Sequence, residues 1–188
     1  MNMDRLVIKQ VLGNEQVTWY YVVSLIGKTL VLLIAPINTI VISYLTKRKE
    51  LLTRSQFGKA VLAGGGVSLV FFLACQVGTP LFVWLFYRNL YDSVKGLVTV
   101  VNLAQILGLF SAFLFILVLT FTDEKWQLWI QLAHFAVLLV TSVLAARAYG
   151  MIGFAWASLG ANSLRVAAVI ILGLLKAGKD KGGSNADR

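Results

Sequence analysis

The chain has 188 residues, of which 59% are hydrophobic and 13% are charged, and its mean hydropathy is +0.81. Soluble domains contain about 25% charged residues and about 45–50% apolar residues, so this composition excludes an ordinary soluble fold. The net charge of +9 comes from cations that cluster in one connection and at the carboxyl end, beside apolar segments, which argues against a nucleic-acid partner. The sequence therefore predicts an integral membrane protein.

A leader of mixed charge, residues 1–16, precedes a series of apolar segments. Each segment has at least 18 mostly apolar residues, and a helix needs ~20 residues to cross a hydrocarbon core. The five segments are residues 17–45, 60–87, 96–121, 127–146 and 151–175. Runs such as "VSLVFFLA" are apolar at consecutive positions, unlike the strands of a membrane β-barrel. We predict an all-α fold with five transmembrane helices, followed by a disordered tail at 176–188.

Cations are unevenly divided between the two sides of the membrane that five spans define. Ten lie on the side that holds the connection after the first span and the carboxyl end, and five lie on the other side. By the positive-inside rule, the amino terminus is predicted outside and the carboxyl terminus in the cytoplasm. The leader has no small-residue cleavage site, so we expect no signal peptide to be removed.

Three local patterns predict how the spans bend and pack. Pro36 should kink the first span, because proline removes a backbone donor and crowds the preceding turn. In the basic connection that follows, Leu51, Leu52 and Phe57 are expected to lie along the cytoplasmic headgroups. Small residues also recur at four-residue spacing in three spans, which lets helices approach closely. These are Ala60, Gly64 and Ser68; Ala104, Gly108 and Ala112; and Gly153, Ala157 and Ala161.

Two cations, Lys28 and Arg165, lie inside predicted spans, whereas all eight acidic residues lie outside them. A cation at membrane depth is costly unless it is paired or hydrated, so it normally faces a bundle interior or a water-filled cavity. Lys28 shares one helix face with Tyr21 and Ser24. Arg165 shares a face with Asn162. We hypothesise that these five residues bind an anionic substrate, the alternative for Lys28 being a side chain that extends to the interface.

Because no span contains an acid, the partner of both cations is expected from elsewhere. A passing anion, a lipid phosphate and an acid on another chain are the three possibilities. The same absence argues against an acid-based site for protons or sodium. His134, the single histidine, is interpreted as a hydrogen-bonded packing residue rather than a proton relay.

Enzymatic chemistry is not indicated. One histidine, one cysteine and no acid at membrane depth provide neither a metal cluster nor a nucleophile with its base. The cysteine, Cys75, lies inside a predicted span and is interpreted as a small buried apolar residue. The sequence predicts no catalytic residue, no cofactor and no metal.

The opening "DRLVIKQVLGNEQVTWYYVVSLIGKTLVLLIAPINTIVISYL" resembles the start of the second half of polysaccharide flippases of the O-antigen type, within the MATE-like exporter superfamily. In those proteins an Asp-Arg pair leads into a long helix with a central proline, and here Asp4, Arg5 and Pro36 take these places. The segments "LYDSVKGLVTVVNLAQILGLFSAFLFILVL" and "YGMIGFAWASLGANSLRVAAVIILG" resemble the last three helices. The resemblance covers nearly the whole chain.

This resemblance implies one lobe, helices eight to twelve, of a transporter in the bacterial inner membrane that exports undecaprenyl-diphosphate-linked oligosaccharide. It implies that Lys28 and Arg165 contact the anionic pyrophosphate headgroup. One lobe cannot enclose a central cavity, so besides membrane lipids we expect a separate amino-terminal lobe or a second copy as partner. The alternatives are a non-transporting membrane scaffold, a truncated flippase fragment, and a lipid or drug exporter of the same superfamily.

Overall fold

A computed structural model describes residues 3–47 and 53–177, with side chains at 4–30, 53–123 and 125–177, and every element in these ranges is helical. The helices are α1 (Met3–Leu12), α2 (Asn14–Lys47), α3 (Arg54–Phe86), a short 3₁₀ turn (Arg88–Leu90), α4 (Tyr91–Val94), α5 (Val98–Leu119) and α6 (Glu124–Lys176). The all-α prediction is confirmed for this part of the chain. Three of these helices, α3, α5 and α6, are long and apolar enough to cross a membrane.

Helix α6 reverses direction at Gly150. This glycine has φ +65° and ψ −146°, which is not a helical conformation. Nε2 of His134 lies 3.2 Å from Oδ1 of Asn162, although 28 residues of straight helix would separate them by about 42 Å. Residues 124–149 and 151–176 therefore form two antiparallel arms, called here the first and second arms of α6.

Gly153 keeps the two arms close beside the reversal. A Cβ atom at this position would overlap the backbone carbonyl oxygen of Ala145 and lie 2.8 Å from Cβ of Tyr149. Neither atom belongs to the far end of a flexible side chain, so the arms would have to separate to make room. The small residue is thus required by the approach of one arm to the other.

We expect Gly153→Ala to lower the free energy of unfolding by about 1–3 kcal/mol, the usual cost of overpacking. Reversible unfolding in mixed micelles of SDS and a mild detergent measures this loss. Gly160→Ala on the same arm is the matched control, because a Cβ there would meet no atom within 4 Å. A loss for Gly153→Ala no larger than that of the control would contradict the close approach.

Helix α5 occupies the centre of the bundle, packed against α2, α3 and α6. In its most apolar stretch 61% of the residues are buried within the protein, against 6% for α3 and for α6. A helix that is apolar all round and enclosed by neighbours belongs in a core. The outward faces of α3 and α6 instead expose large apolar side chains, including Leu62, Val77, Trp129 and Trp156, as a lipid-facing surface does.

A first apolar cluster contains the residues expected to form a leader. Helix α1 packs against α2 and α6, and Ile8 at its centre is completely buried. The cluster also includes Tyr20 from α2 and Met151 and Phe154 from the second arm of α6. The rings of Tyr20 and Phe154 meet edge to face, with centroids 5.5 Å apart. Residues 3–12 are thus part of the helical bundle.

A second cluster, at the other end of α5, corrects the expectation for Phe57. Its side chain is completely buried and packs with Phe121 and with Leu172 instead of lying along headgroups. The reason is local: Thr53 caps α3, accepting from the backbone N–H of Gln56 at 3.3 Å, while Oε1 of Gln56 accepts from the N–H of Thr53 at 3.1 Å. This capping box fixes the start of α3 at Arg54, so Phe57 lies in the first turn of the helix, on the face that contacts the core.

Some sequence expectations concern parts of the chain outside this description. Helix α2 continues to Lys47, but the kink expected at Pro36 lies among residues 31–47, whose side chains are outside the described ones. Leu51 and Leu52 are outside the described residues, as is the tail beyond Ala177. These expectations stay predictions.

Candidate functional site

Lys28 is neutralised within the chain. Its Nζ donates to Oδ2 of Asp4 at 2.7 Å and lies 5.2 Å from the ring centre of Tyr20. Gly13, with φ +95°, joins α1 to α2 in a left-handed conformation that glycine adopts without a steric penalty. This turn folds α1 back beside α2 and carries Asp4 to the level of Lys28. The expectation that no acid of this chain would accompany the intramembrane cations is therefore wrong for Lys28.

Arg165 differs from Lys28, because no carboxylate pairs with it among the side chains that the structure describes. The guanidinium carbon lies 4.8 Å from the ring centre of Phe115 in α5, and Nε is buried without a hydrogen-bond partner. A cation–π contact contributes about 0.5–2 kcal/mol. That is less than the several kcal/mol that an unpaired cation costs at membrane depth.

Asn162 connects three helical segments just before Arg165. Its Nδ2 donates to the carbonyl of Ala104 in α5 at 2.9 Å. Its Oδ1 accepts from Nε2 of His134 in the first arm at 3.2 Å. His134 thus makes the hydrogen bond that the sequence predicted for it. The same network holds the second arm of α6 against α5, which sets the position of Arg165 one turn later.

Ser24 and Tyr21, the other two residues predicted to bind substrate, are engaged in local packing. Ser24 is completely buried, and its hydroxyl donates to the carbonyl of Tyr21 at 3.3 Å within α2. The ring of Tyr21 lies under Arg5, whose guanidinium carbon is 4.4 Å from the ring centre. Both side chains are thus occupied with neighbours on α1 and α2.

A cavity of about 220 Å³ lies between α1, α2, α5 and the two arms of α6. Apolar side chains form part of its wall, and its polar lining residues are Asp4, Tyr20, Gln105, Ser142, Ser158 and Asn162. Four buried polar atoms of this lining lack a hydrogen-bond partner: Oδ1 of Asp4, both side-chain amide atoms of Gln105, and Oγ of Ser142. Of the five predicted binding residues, only Asn162 lines this cavity, and Lys28 reaches it through Asp4.

The sequence did not indicate that Asp4, Gln105, Ser142 and Ser158 would share one cavity. Gln105 is visible as a polar residue in an apolar segment, but nothing in the sequence shows which helix it faces. In the structure it lies against Gly27 of α2, where an added Cβ would overlap its amide. One signal was available for Asp4: Gly13 separates two stretches with helical patterns, which is compatible with a helical hairpin.

A second polar cluster joins α3 to α5. Asn102 is completely buried, and its Nδ2 donates to the carbonyl of Cys75 at 3.1 Å and to Oε1 of Gln76 at 3.2 Å. Its amide also bonds with the hydroxyl of Thr79 at 3.2 Å. Pro80 follows Thr79 and has no amide hydrogen for the carbonyl of Gln76, one turn before it. Asn102 bonds with the side chains of Gln76 and Thr79 and with the neighbouring carbonyl of Cys75, and so joins α5 to α3 beside this interruption.

Comparison with known proteins identifies no relative of this chain. No protein-family model matches the chain, and neither the curated proteins nor the solved structures contain a significant match.

Proposed function

We propose that this chain is one lobe of a membrane exporter, and that Arg165 binds the charged headgroup of an anionic, lipid-linked substrate. The resemblance to polysaccharide flippases suggests undecaprenyl-diphosphate-linked oligosaccharide as the cargo. The observation that carries the proposal is the contrast between two cations. Lys28 is paired with Asp4 at 2.7 Å, whereas Arg165 has no acidic partner among the described side chains.

The proposed topology has five spans: α2, α3, α5 and the two arms of α6. Aromatic and basic residues support it, because Trp126 and Lys176 meet at one end of α6, with Nζ 5.6 Å from the ring centre. Tyr149 and Trp156 are exposed near the reversal at the opposite end. Tryptophan, tyrosine and lysine at both ends of a bundle are typical of the two membrane interfaces. We propose the bacterial inner membrane, with the amino terminus outside.

The size of the cavity limits where a substrate passes. A volume of about 220 Å³ is below the range of about 300–1,000 Å³ typical of pockets for drug-sized ligands. An oligosaccharide is larger still. The path for such a cargo therefore lies between this bundle and a second lobe, made by another chain or a second copy of this one.

The chemistry of arginine suits a diphosphate. A guanidinium is planar, remains charged, and donates two parallel hydrogen bonds to phosphate oxygens. Phe115 packs on one face of the guanidinium and restricts its rotamers before an anion binds. The conformational entropy lost on binding is therefore smaller. A lysine at this position would keep the charge but lose the paired donors.

Binding of farnesyl diphosphate to the full chain in nanodiscs tests this role. We expect Arg165→Ala to weaken binding by about 10–100-fold, since hydrogen bonds to charged groups contribute about 1.5–3 kcal/mol. Arg165→Lys should fall between the two proteins. Arg147→Ala, an exposed arginine on the first arm of α6, is the matched control, with less than about 3-fold change expected. Equal affinity of Arg165→Ala and the unaltered protein would rule out the proposed contact.

Native mass measurement of the nanodisc particle from the host tests the need for a second lobe. A stoichiometric partner with six or seven spans, or a defined homo-oligomer, supports the transport proposal. A lone monomer that does not bind the diphosphate supports the second candidate, a non-transporting membrane scaffold. One observation favours that candidate: the described interior is small, and one of its two cations is already neutralised.

A further inference from the structure

Helix α1 forms one wall of the cavity and is joined to α2 through a single glycine. Asp4 and Val7 contribute to the lining, opposite Gln105 and Ser142. Gly13, at φ +95°, separates α1 from α2, and a Cβ at this position would meet no atom within 4 Å. A rotation at this residue would therefore move α1 without breaking another helix, and it would separate the contacts of α1 with α2 and α6.

Helix α1 packs on the bundle through one apolar face. Ile8 is completely buried and Val7, Val11 and Leu12 pack against the same cluster, whereas three of the ten residues of α1 are charged. The ion pair between Asp4 and Lys28 links its first turn to α2, with 22% and 31% of the two side chains exposed. The ion pair is therefore only partly buried.

The arrangement in the structure, called here closed because α1 covers one side of the cavity, leaves polar atoms without partners. Oδ1 of Asp4, the amide of Gln105 and Oγ of Ser142 are buried in the cavity wall with no hydrogen bond. Displacement of α1 would hydrate all of them and thereby offset part of the loss of contacts around Ile8. The free-energy difference between the closed and open arrangements is thus smaller than it would be for a helix whose interface left no buried polar atom without a partner.

We propose that α1 is a hinged gate, that the Asp4–Lys28 ion pair is its latch, and that release of the latch opens the cavity to water. In the open arrangement the cavity takes up water or another neutral hydrogen-bonding solute. A metal cation is disfavoured because the ammonium of Lys28 already lies 2.7 Å from the carboxylate of Asp4. The gate does not depend on the identity of the proposed cargo.

Thiol accessibility in nanodiscs tests the gate. In a Cys75→Ala background, Ser142→Cys places a thiol in the cavity, and a membrane-impermeant methanethiosulfonate reports its exposure to water. Opening by Asp4→Asn or Lys28→Gln should increase the modification rate of this thiol at least about 10-fold. Reversal of the pair, with Asp4→Lys and Lys28→Asp together, should restore the slow rate. Ser93→Cys, exposed on the short helix α4, is the control whose rate should not change.

Two results would overturn the latch. One is an unchanged rate at position 142 in both single variants, and the other is a charge reversal that leaves the rate fast. Hydrogen exchange on the unaltered chain avoids any folding defect of the variants. A gate requires the amides of α1 to exchange faster than those of α5, whereas equal protection of the two helices would show that α1 is a fixed part of the bundle.

Discussion

Phe57→Ala is expected to lower the free energy of unfolding by about 2–4 kcal/mol. The side chain is completely buried, meets Phe121 edge to face with ring centroids 5.8 Å apart, and lies against Gly173. Deletion of a buried phenylalanine costs about 3–5 kcal/mol in soluble proteins. We expect a smaller loss because the unfolded chain in detergent keeps the ring in apolar surroundings, so lost packing dominates.

Unfolding in mixed micelles measures this loss, with Phe86→Ala as the matched control on the same helix. Phe86 is 66% exposed, so its removal should cost less than about 1 kcal/mol. Gly173 provides a second check, because a Cβ at this position would overlap the ring of Phe57. Gly173→Ala should therefore destabilise the unaltered protein but not Phe57→Ala. Additive losses in the double variant would show that the two residues are not in contact.

The second large effect is expected for Asn102→Asp, a loss of about 2.5–3.5 kcal/mol, as for an aspartate placed at the centre of a transmembrane helix. The aspartate offers no N–H to the carbonyl of Cys75 or to Oε1 of Gln76, which Asn102 now satisfies at 3.1 and 3.2 Å. It also introduces a charge into a completely buried position. Unfolding in mixed micelles is again the measurement.

Asn102→Ala separates the hydrogen bonds from the charge. Its loss should be about 1–3 kcal/mol, because it leaves the buried hydroxyl of Thr79 and Oε1 of Gln76 without the partner that Asn102 provides. A double-mutant cycle with Thr79→Val should show a coupling of about 0.6 kcal/mol, the average for hydrogen bonds between membrane helices. Asn89→Asp, exposed in the 3₁₀ turn, is the control and should change little. An Asn102→Asp protein as stable as the control would contradict the role given to this amide.

The helices themselves follow closely from the sequence. Residues 96–121 were predicted as a span, and α5 runs from Val98 to Leu119. The apolar segments 127–146 and 151–175 correspond to the two arms of α6, on either side of Gly150. Such boundaries are predictable because the length of an apolar run and the residues that interrupt it are local properties of the chain.

The site was predicted less well, and Lys28 shows why. Helical periodicity correctly placed Lys28 on a face with Ser24, but the counter-ion comes from Asp4, 24 residues earlier in the chain. The position of Asp4 beside Lys28 depends on the direction in which α1 leaves Gly13. Arg165 and Asn162 were correctly placed on one face, yet Asn162 is oriented by Ala104, 58 residues away.

By itself, then, the sequence determined the all-α class, the positions of the long apolar helices and the residues that share each helix face. The tertiary structure decided that α1 belongs to the bundle, that Asp4 neutralises Lys28, that Phe57 points into the core, and that five helical segments line one cavity. The physical reason is that periodicity orients side chains around one axis only. In a lipid bilayer an apolar helix face can contact lipid or protein with little difference in hydrophobic free energy. Which helices pack together therefore depends on close packing and on hydrogen bonds between residues distant in the sequence.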